Sequence, residues 1–292
     1  MSDTVLILGA GFSHDAGIPL LSGFVERILH FQVRKKHGAV PLSDIDIFDA
    51  AISVRDELDG YHGRAMFDDR NIEDILSILS FNVLGGEPEE REKLAAINRA
   101  ITRTIELSCT ITHEGVKQDG SAKIIITGPE SYRRFWKAIL KWIADKNEMP
   151  AILTFNYDLV LERSLLQALV GTHYNAHDKR PPVSGIHLEY HNEDIPPQLF
   201  KVEFYDYRMS GDSSGTRLSI PKGGAIMNAS TIEILKLHGS VNVPRSGVNV
   251  DAASYNFAAS LAEPLILPLW SAINRAVDTL LSDACTRGPT LA

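Results

Sequence analysis

The sequence predicts an α/β protein, with a Rossmann-like parallel sheet flanked by helices and a helical insertion within it. Three observations predict this fold. Val5–Leu8, Ala151–Phe155 and Ile232–Leu237 are short, continuous apolar runs of the kind that form strands buried on both faces of a parallel sheet. Stretches with apolar residues three and four positions apart lie between them, which gives the helix–strand alternation of α/β proteins. The segment 39–130 interrupts that alternation with a mainly helical pattern.

In chain order, Val5–Leu8 ends at Gly9-Ala10-Gly11, a strand feeding a glycine turn. From Ser22, Phe24, Val25, Ile28 and Leu29 recur at helical spacing, and the pattern fades into the cationic Arg34-Lys35-Lys36-His37-Gly38, so a helix is expected to stop near Gly38. Asn71 is placed to cap a helix carrying Glu73 and Asp74 in its first turn and Ile72, Ile75, Leu76, Leu79 and Val83 on its inner face. Pro88 suits a first helical position and is followed by Leu94, Ile97, Ile101 and Ile105 at helical spacing. The acidic first turns around Glu73 and Glu89 read as solvated faces. Ser108–Thr112 and Lys123–Thr127 either pair across Gly115–Gly120 or continue the preceding helix.

Ser131 then caps an apolar helix with Tyr132, Phe135, Trp136, Ile139, Leu140 and Ile143, ahead of the second strand run and a helix over Leu159–Val170. A long polar excursion, 171–231, contains Pro-Pro and Gly-rich turn signals, and Lys201–Tyr207 and Arg217–Ile220 within it have the character of hairpin strands. After the third strand run come a fourth apolar run, Pro264–Leu267, and a last helix over Ser271–Ala284. The whole of 1–292 is expected to be a single domain, its core formed by 1–38 and 131–292.

Composition bounds what this domain does. Of 292 residues, 44% are hydrophobic and 23% charged, close to the globular average and far from disorder. The formal net charge is −8, which opposes direct contact with nucleic-acid phosphates. Cys109 and Cys285 are the two cysteines, too few for a disulfide framework or a four-cysteine zinc site. The start, Met1-Ser2-Asp3-Thr4, lacks a basic signal-peptide region, and no apolar run approaches the ~20 residues of a membrane span, so a cytoplasmic location without membrane contact is expected.

The chemistry lies just after the strands, because ligands of open parallel sheets bind outside the carboxyl ends. The first strand delivers Gly9-Ala10-Gly11-Phe12-Ser13, with Ala16-Gly17-Ile18-Pro19 downstream; the second delivers Asn156-Tyr157-Asp158; the third delivers His238-Gly239-Ser240. The glycine turn departs from the dehydrogenase fingerprint, since His14 stands where a third glycine belongs. Alone, each element has a plain structural alternative: a strand-to-helix turn, a helix cap, a hydrogen-bonded core histidine. His187 and His191 are spaced four apart, but no third ligand accompanies them, and no metal is expected.

Together, Gly9-Ala10-Gly11-Phe12-Ser13 with Gly17-Ile18-Pro19, Thr154-Phe155-Asn156-Tyr157-Asp158 and Leu237-His238-Gly239-Ser240 resemble the sirtuin family in order and spacing. Asn71-Ile72-Glu73-Asp74-Ile75-Leu76 is similar to a helix of the bacterial sirtuin-like branch that hydrolyses NAD+ in antiphage defence. The resemblance implies NAD+ as substrate. It implies that Gly9, Ala10, Gly11 and Ser13, with Ile18 and Pro19 downstream, cradle the pyrophosphate and ribose. It further implies that Asn156 orients ribose and water, that Asp158 binds the leaving carboxamide, and that His238, followed by Gly239 and Ser240, acts as general base.

Two departures sharpen this reading. The zinc module of protein-deacylating sirtuins cannot be built here, and Leu20-Leu21-Ser22 replaces their aromatic-basic pair after Gly-Ile-Pro. A zinc-less NAD+ hydrolase is therefore expected, with a protein deacylase or a noncatalytic NAD- or ADP-ribose-sensing module as alternatives. The family's late Gly-Tyr-Ser-like turn has no counterpart before Ala292, so either the C-terminus is truncated or that edge is built differently. An enzyme that depletes NAD+ needs an off state, which implies a homo-oligomer or an activating partner such as an ATPase, a translocase or a nucleic-acid-loaded sensor.

Overall fold

The computed structural model describes residues 4–34, 45–62, 68–118, 121–146, 148–170, 185–190, 198–205, 215–219, 231–244 and 264–266. Its centre is a six-stranded sheet. Strand β1 (Val5–Leu8) pairs in parallel with β4 (Ala151–Thr154), which pairs in parallel with β8 (Thr231–Lys236), which pairs in parallel with β5 (Gly185–Tyr190). Two antiparallel strands, β6 (Gln198–Tyr205) and β7 (Gly215–Ser219), complete the order β1-β4-β8-β5-β6-β7. This is a mixed α/β architecture with a Rossmann-like parallel part. The excursion 171–231 thus supplies a parallel strand to the main sheet as well as the expected hairpin.

Two strand expectations need correction. β1 is parallel as expected, yet it lies at the sheet edge among the described residues, and Val5 and Ile7 are 55% and 69% exposed. An apolar run does not reveal whether both faces are covered, because composition carries no information on neighbours. The fourth run forms β10 (Pro264–Ile266), but it pairs antiparallel with β9 (Gly239–Pro244) in a separate two-stranded sheet.

Most helices follow their predicted signals, but Ser131, expected as a cap, lies inside the helix Glu130–Lys146. After the short α1 (Ala10–His14) and a 3-10 turn at Leu21–Gly23, α2 (Phe24–Arg34) buries Phe24, Val25, Ile28 and Phe31; the expected stop at Gly38 lies outside the described residues. Helix α3 (Ile45–His62) precedes α4 (Ile72–Val83), where the Asn71 side chain accepts a hydrogen bond from the Glu73 N–H, as its cap position predicts. Helix α5 (Pro88–Ser108) starts with proline in its first turn. Of the two alternatives after it neither holds as drawn: α5 ends at Ser108, Lys123–Thr127 lies in β3 (Ser121–Thr127), and its hairpin partner is β2 (Thr112–Gln118), so only Thr112 of the run Ser108–Thr112 pairs and Gly115–Gln118 of the expected turn is strand.

Helix α6 (Glu130–Lys146) buries Tyr132, Trp136 and Ile143, and α7 (Val160–Val170) packs on it, with the Trp136 indole N–H donating to Ser164 Oγ at 2.8 Å. The expected last helix over Ser271–Ala284 falls outside the described residues.

The insertion is no separate lobe. Ile72, Leu76 and Leu79 of α4 and Ile97 and Ile101 of α5 share one buried cluster with Ala16, Ile18, Phe24, Tyr157 and Val241. Burying such side chains contributes roughly 1.5–3 kcal/mol each, so the helices are fastened to the segments that carry the sheet-edge motifs. Gly17 marks the tightest point of this junction. Its φ is +87°, and a Cβ there would sit 2.4 Å from the Ser108 carbonyl oxygen, so both the backbone conformation and the close approach of α5 require glycine.

Candidate functional site

Register brings the three motifs together. Leu8 pairs with Thr154 and Thr154 with Lys236, so the three parallel strands end abreast and their following loops emerge at one edge. Local bonds then stitch the loops. Thr154 Oγ1 donates to Leu8 O at 3.0 Å and accepts from Asn156 N at 3.1 Å, while Leu237 N–H donates to Thr154 O at 3.0 Å and Val241 N–H to Tyr157 O at 2.9 Å.

A cavity of about 130 Å³ opens between these loops. The first loop supplies Ala10, Ile18 and Pro19; the second, Phe155, Asn156, Tyr157 and Asp158; the third, His238. Leu21 and Phe24 add apolar surface, and Glu73 enters from α4.

One side of the cavity is a connected polar network. Asn156 Nδ2 donates to Gly9 O and to Ser13 Oγ, both at 2.9 Å, which uses both amide hydrogens. Because Gly9 O only accepts, the orientation of the carboxamide is fixed, and Oδ1 is the remaining acceptor of a side chain that lines the cavity. Ser13 Oγ passes its own hydrogen to Asp158 Oδ1 at 2.9 Å, and that oxygen also accepts the Val160 N–H at 2.9 Å, capping α7. The helix cap is therefore Asp158, not Asn156. Burial pushes the Asp158 carboxyl above its usual range, against the opposing pull of the Lys236 charge. Lys236, 1% exposed at the end of β8, donates to Asp158 O and, at 2.7 Å, to Glu162 Oε1.

The other side is unsatisfied. Neither ring nitrogen of His238 has a hydrogen-bond partner among the described residues, although His238 is buried. The plain alternative, a core histidine held by hydrogen bonds, does not describe this side chain. Burial lowers its pKa to about 4, so the imidazole is neutral at pH 7. Phe155 meets the ring edge to face at a centroid distance of 5.5 Å, and Tyr157 stacks on it at 6.4 Å. The Tyr157 hydroxyl is likewise buried without a partner among the described residues, and burial raises its pKa, helped by the Glu73 and Asp158 charges. Glu73 Oε1 lies 3.8 Å from His238 Nδ1.

Of the residues singled out in the sequence, Ala10, Ile18, Pro19, Asn156, Asp158 and His238 line the cavity. Ser13 is 1% exposed and acts on the site through Asn156 and Asp158. Gly9 and Gly11 stand outside the cavity wall on the exposed turn, where a Cβ would meet nothing within 4 Å. Gly9 has φ −107°, open to any residue, so the room beside these glycines, rather than their conformational freedom, is what the turn offers. Ser240 is fully buried, and Gly239 takes φ +79° to turn the chain from His238 into β9.

Sequence reasoning missed three residues. Glu73, read as part of a solvated face, is 7% exposed and lines the cavity; the exposed Glu89 does belong to such a face. Tyr157 received no role. Lys236 did carry a signal, because alternation along β8 places it on the buried side with Ile232 and Ile234.

No group of three or more His, Cys, Asp or Glu side chains gathers to hold a metal among the described residues, and none of the described helices is long and apolar enough to cross a membrane. Comparison with family models and with curated proteins returns no match to this chain.

Proposed function

We propose that this protein is a sirtuin-like NAD+ glycohydrolase, cleaving the nicotinamide–ribose bond to give nicotinamide, ADP-ribose and a proton. The observation that carries the reading is the meeting of the Asn156 and His238 motifs, beside the open glycine turn, in one cavity with a neutral imidazole that has no hydrogen-bond partner among the described residues. Drug-sized ligands occupy pockets of roughly 300–1,000 Å³. At about 130 Å³ this cavity suits the nicotinamide and ribose end alone, and the rest of the dinucleotide passes over Gly9 and Gly11, where no Cβ obstructs it.

Departure of neutral nicotinamide leaves positive charge on the ribose in an oxocarbenium-like transition state. Asn156 Oδ1 accepts a hydrogen bond from the attacking water or a ribose hydroxyl, and His238 takes the proton that the water loses as its oxygen bonds to the anomeric carbon. The apolar lining from Ile18, Leu21 and Phe24 limits bulk water around the reacting centre. We read the biological role as NAD+ depletion in antiphage defence, held off by oligomer packing or by a protein partner until infection.

The test is incubation of the purified chain with NAD+, at low and high protein concentration, followed by chromatography of the products. Nicotinamide and ADP-ribose are expected without any peptide. Asn156→Ala and His238→Ala are each expected to lower turnover by at least ~100-fold. Cleavage at the wild-type rate by the double variant overturns the mechanism, and O-acetyl-ADP-ribose formed only with an acetylated peptide assigns a deacylase instead.

A further inference from the structure

We propose that Glu73 is the positioning partner of His238, a carboxylate that holds the proton of the imidazole on Nδ1 and so presents Nε2 as the base. The proposal rests on the hydrolase reading for its catalytic consequence, but the pairing itself is a separate physical claim.

Three observations carry it. Glu73 is 7% exposed on the cavity wall, and its Oε1 is 3.8 Å from His238 Nδ1. That separation exceeds a hydrogen bond, yet catalytic hydrogen bonds are often long in the free protein and tighten in the substrate complex. The imidazole is also confined: Phe155 and Tyr157 pack on it at 5.5 and 6.4 Å between centroids, which restricts the directions its nitrogens take. Finally, Glu73 is itself well fixed. It sits in the first turn of α4, its backbone N–H donates to Asn71 Oδ1 at 3.1 Å, and Ile72 and Leu76 beside it are fully buried. A helix N-terminus favours a carboxylate there.

The chemical consequence follows from burial. A desolvated imidazole is a poor base because its charged form is disfavoured, and a nearby carboxylate offsets this by stabilising the imidazolium as it forms. A neutral imidazole also has two tautomers, only one of which leaves Nε2 free to take a proton. Glu73 selects that tautomer, and so the insertion contributes a working residue to a site otherwise built at the sheet edge.

Nitrogen-15 NMR of His238 in the wild-type protein, in Glu73→Gln and in Glu73→Asp, combined with steady-state NAD+ cleavage, tests the pairing. The wild type is expected to hold its proton on Nδ1, and Glu73→Gln to lose that preference. In Glu73→Gln, kcat is expected to fall about tenfold or more with KM within about threefold, and Glu73→Asp is expected to restore part of the loss. Glu89→Gln, an exposed change, serves as the control with unchanged kcat. If Glu73→Gln fails to fold, the wild-type tautomer and the Glu73→Asp kinetics decide. A wild-type proton on Nε2, or a Glu73→Gln protein with unaltered tautomer and kcat, overturns the pairing. A wild type that cleaves no NAD+ overturns the hydrolase reading, while the NMR arm still judges the pair.

Discussion

The two sides of the cavity are built on opposite principles. On one, the side chains of Asn156 and Ser13 and Asp158 Oδ1 are bonded to one another and to Gly9 O and the α7 N-terminus, with Lys236 tied to the Asp158 carbonyl and Glu162. On the other, both nitrogens of His238 and the hydroxyl of Tyr157 are buried and lack partners among the described residues. Leaving a buried polar group unbonded costs about 1–3 kcal/mol, a cost that among the described residues falls mainly on the second side and on the first only at Glu162 Oε2. The difference separates roles: the bonded side holds the strand ends in register, and on the proposed hydrolase reading the unbonded side keeps hydrogen-bonding capacity for the substrate.

The largest effect is expected where the bonded side is broken. Lys236→Met leaves Glu162 buried without its cation and is expected to destabilise the fold by about 3–5 kcal/mol in denaturant unfolding. Adding Glu162→Leu removes the stranded charge and is expected to recover most of that loss. A single variant as stable as wild type would show that the pair does not hold the loops.

Acid tests the unbonded side. The His238 pKa is held near 4, so between pH 6.5 and about 4 the unfolded chain binds a proton that the folded chain does not. Stability contributed above that window is lost as the pH falls through it, by about 3 kcal/mol. Comparing unfolding free energies of wild type and His238→Gln across this range measures the effect, which is expected to vanish in the variant.

Glycines give a sharper contrast at smaller magnitude. Gly17→Ala is expected to cost about 2 kcal/mol or more, from its positive φ and the Ser108 carbonyl. Gly9→Ala and Gly11→Ala are expected to change stability by less than about 0.5 kcal/mol, since a Cβ there meets nothing within 4 Å, and on the proposed hydrolase reading to raise KM for NAD+. Equal thermal midpoints for the Gly17 and Gly9 variants would remove this distinction. Tyr157→Phe is expected to give a stability change between zero and a gain of about 1 kcal/mol, since it deletes a buried hydroxyl without a partner among the described residues.

Much of this arrangement was legible before any coordinates. The Asn71 cap, the proline at the start of α5 and the apolar strands with glycine, carboxamide and imidazole after them all depend on residues close in sequence, where capping and periodicity act. Glu73 was not legible because an acidic residue in a first helical turn has a sufficient local explanation in the helix dipole. Its neighbour in the cavity, His238, lies more than 160 positions along the chain, and α4 itself packs on α5 and the 3-10 turn at Leu21–Gly23.

By itself, then, the sequence determined which chemical groups follow which strands, because strand and turn formation are decided by neighbours along the chain. Tertiary structure alone decided that β1, β4 and β8 lie side by side, that Asn156 spends both amide hydrogens internally, and that His238 faces Glu73 with no hydrogen bond to either nitrogen among the described residues. Strand order, hydrogen-bond partners and desolvation are relations between distant segments. They acquire values only when the chain closes around them.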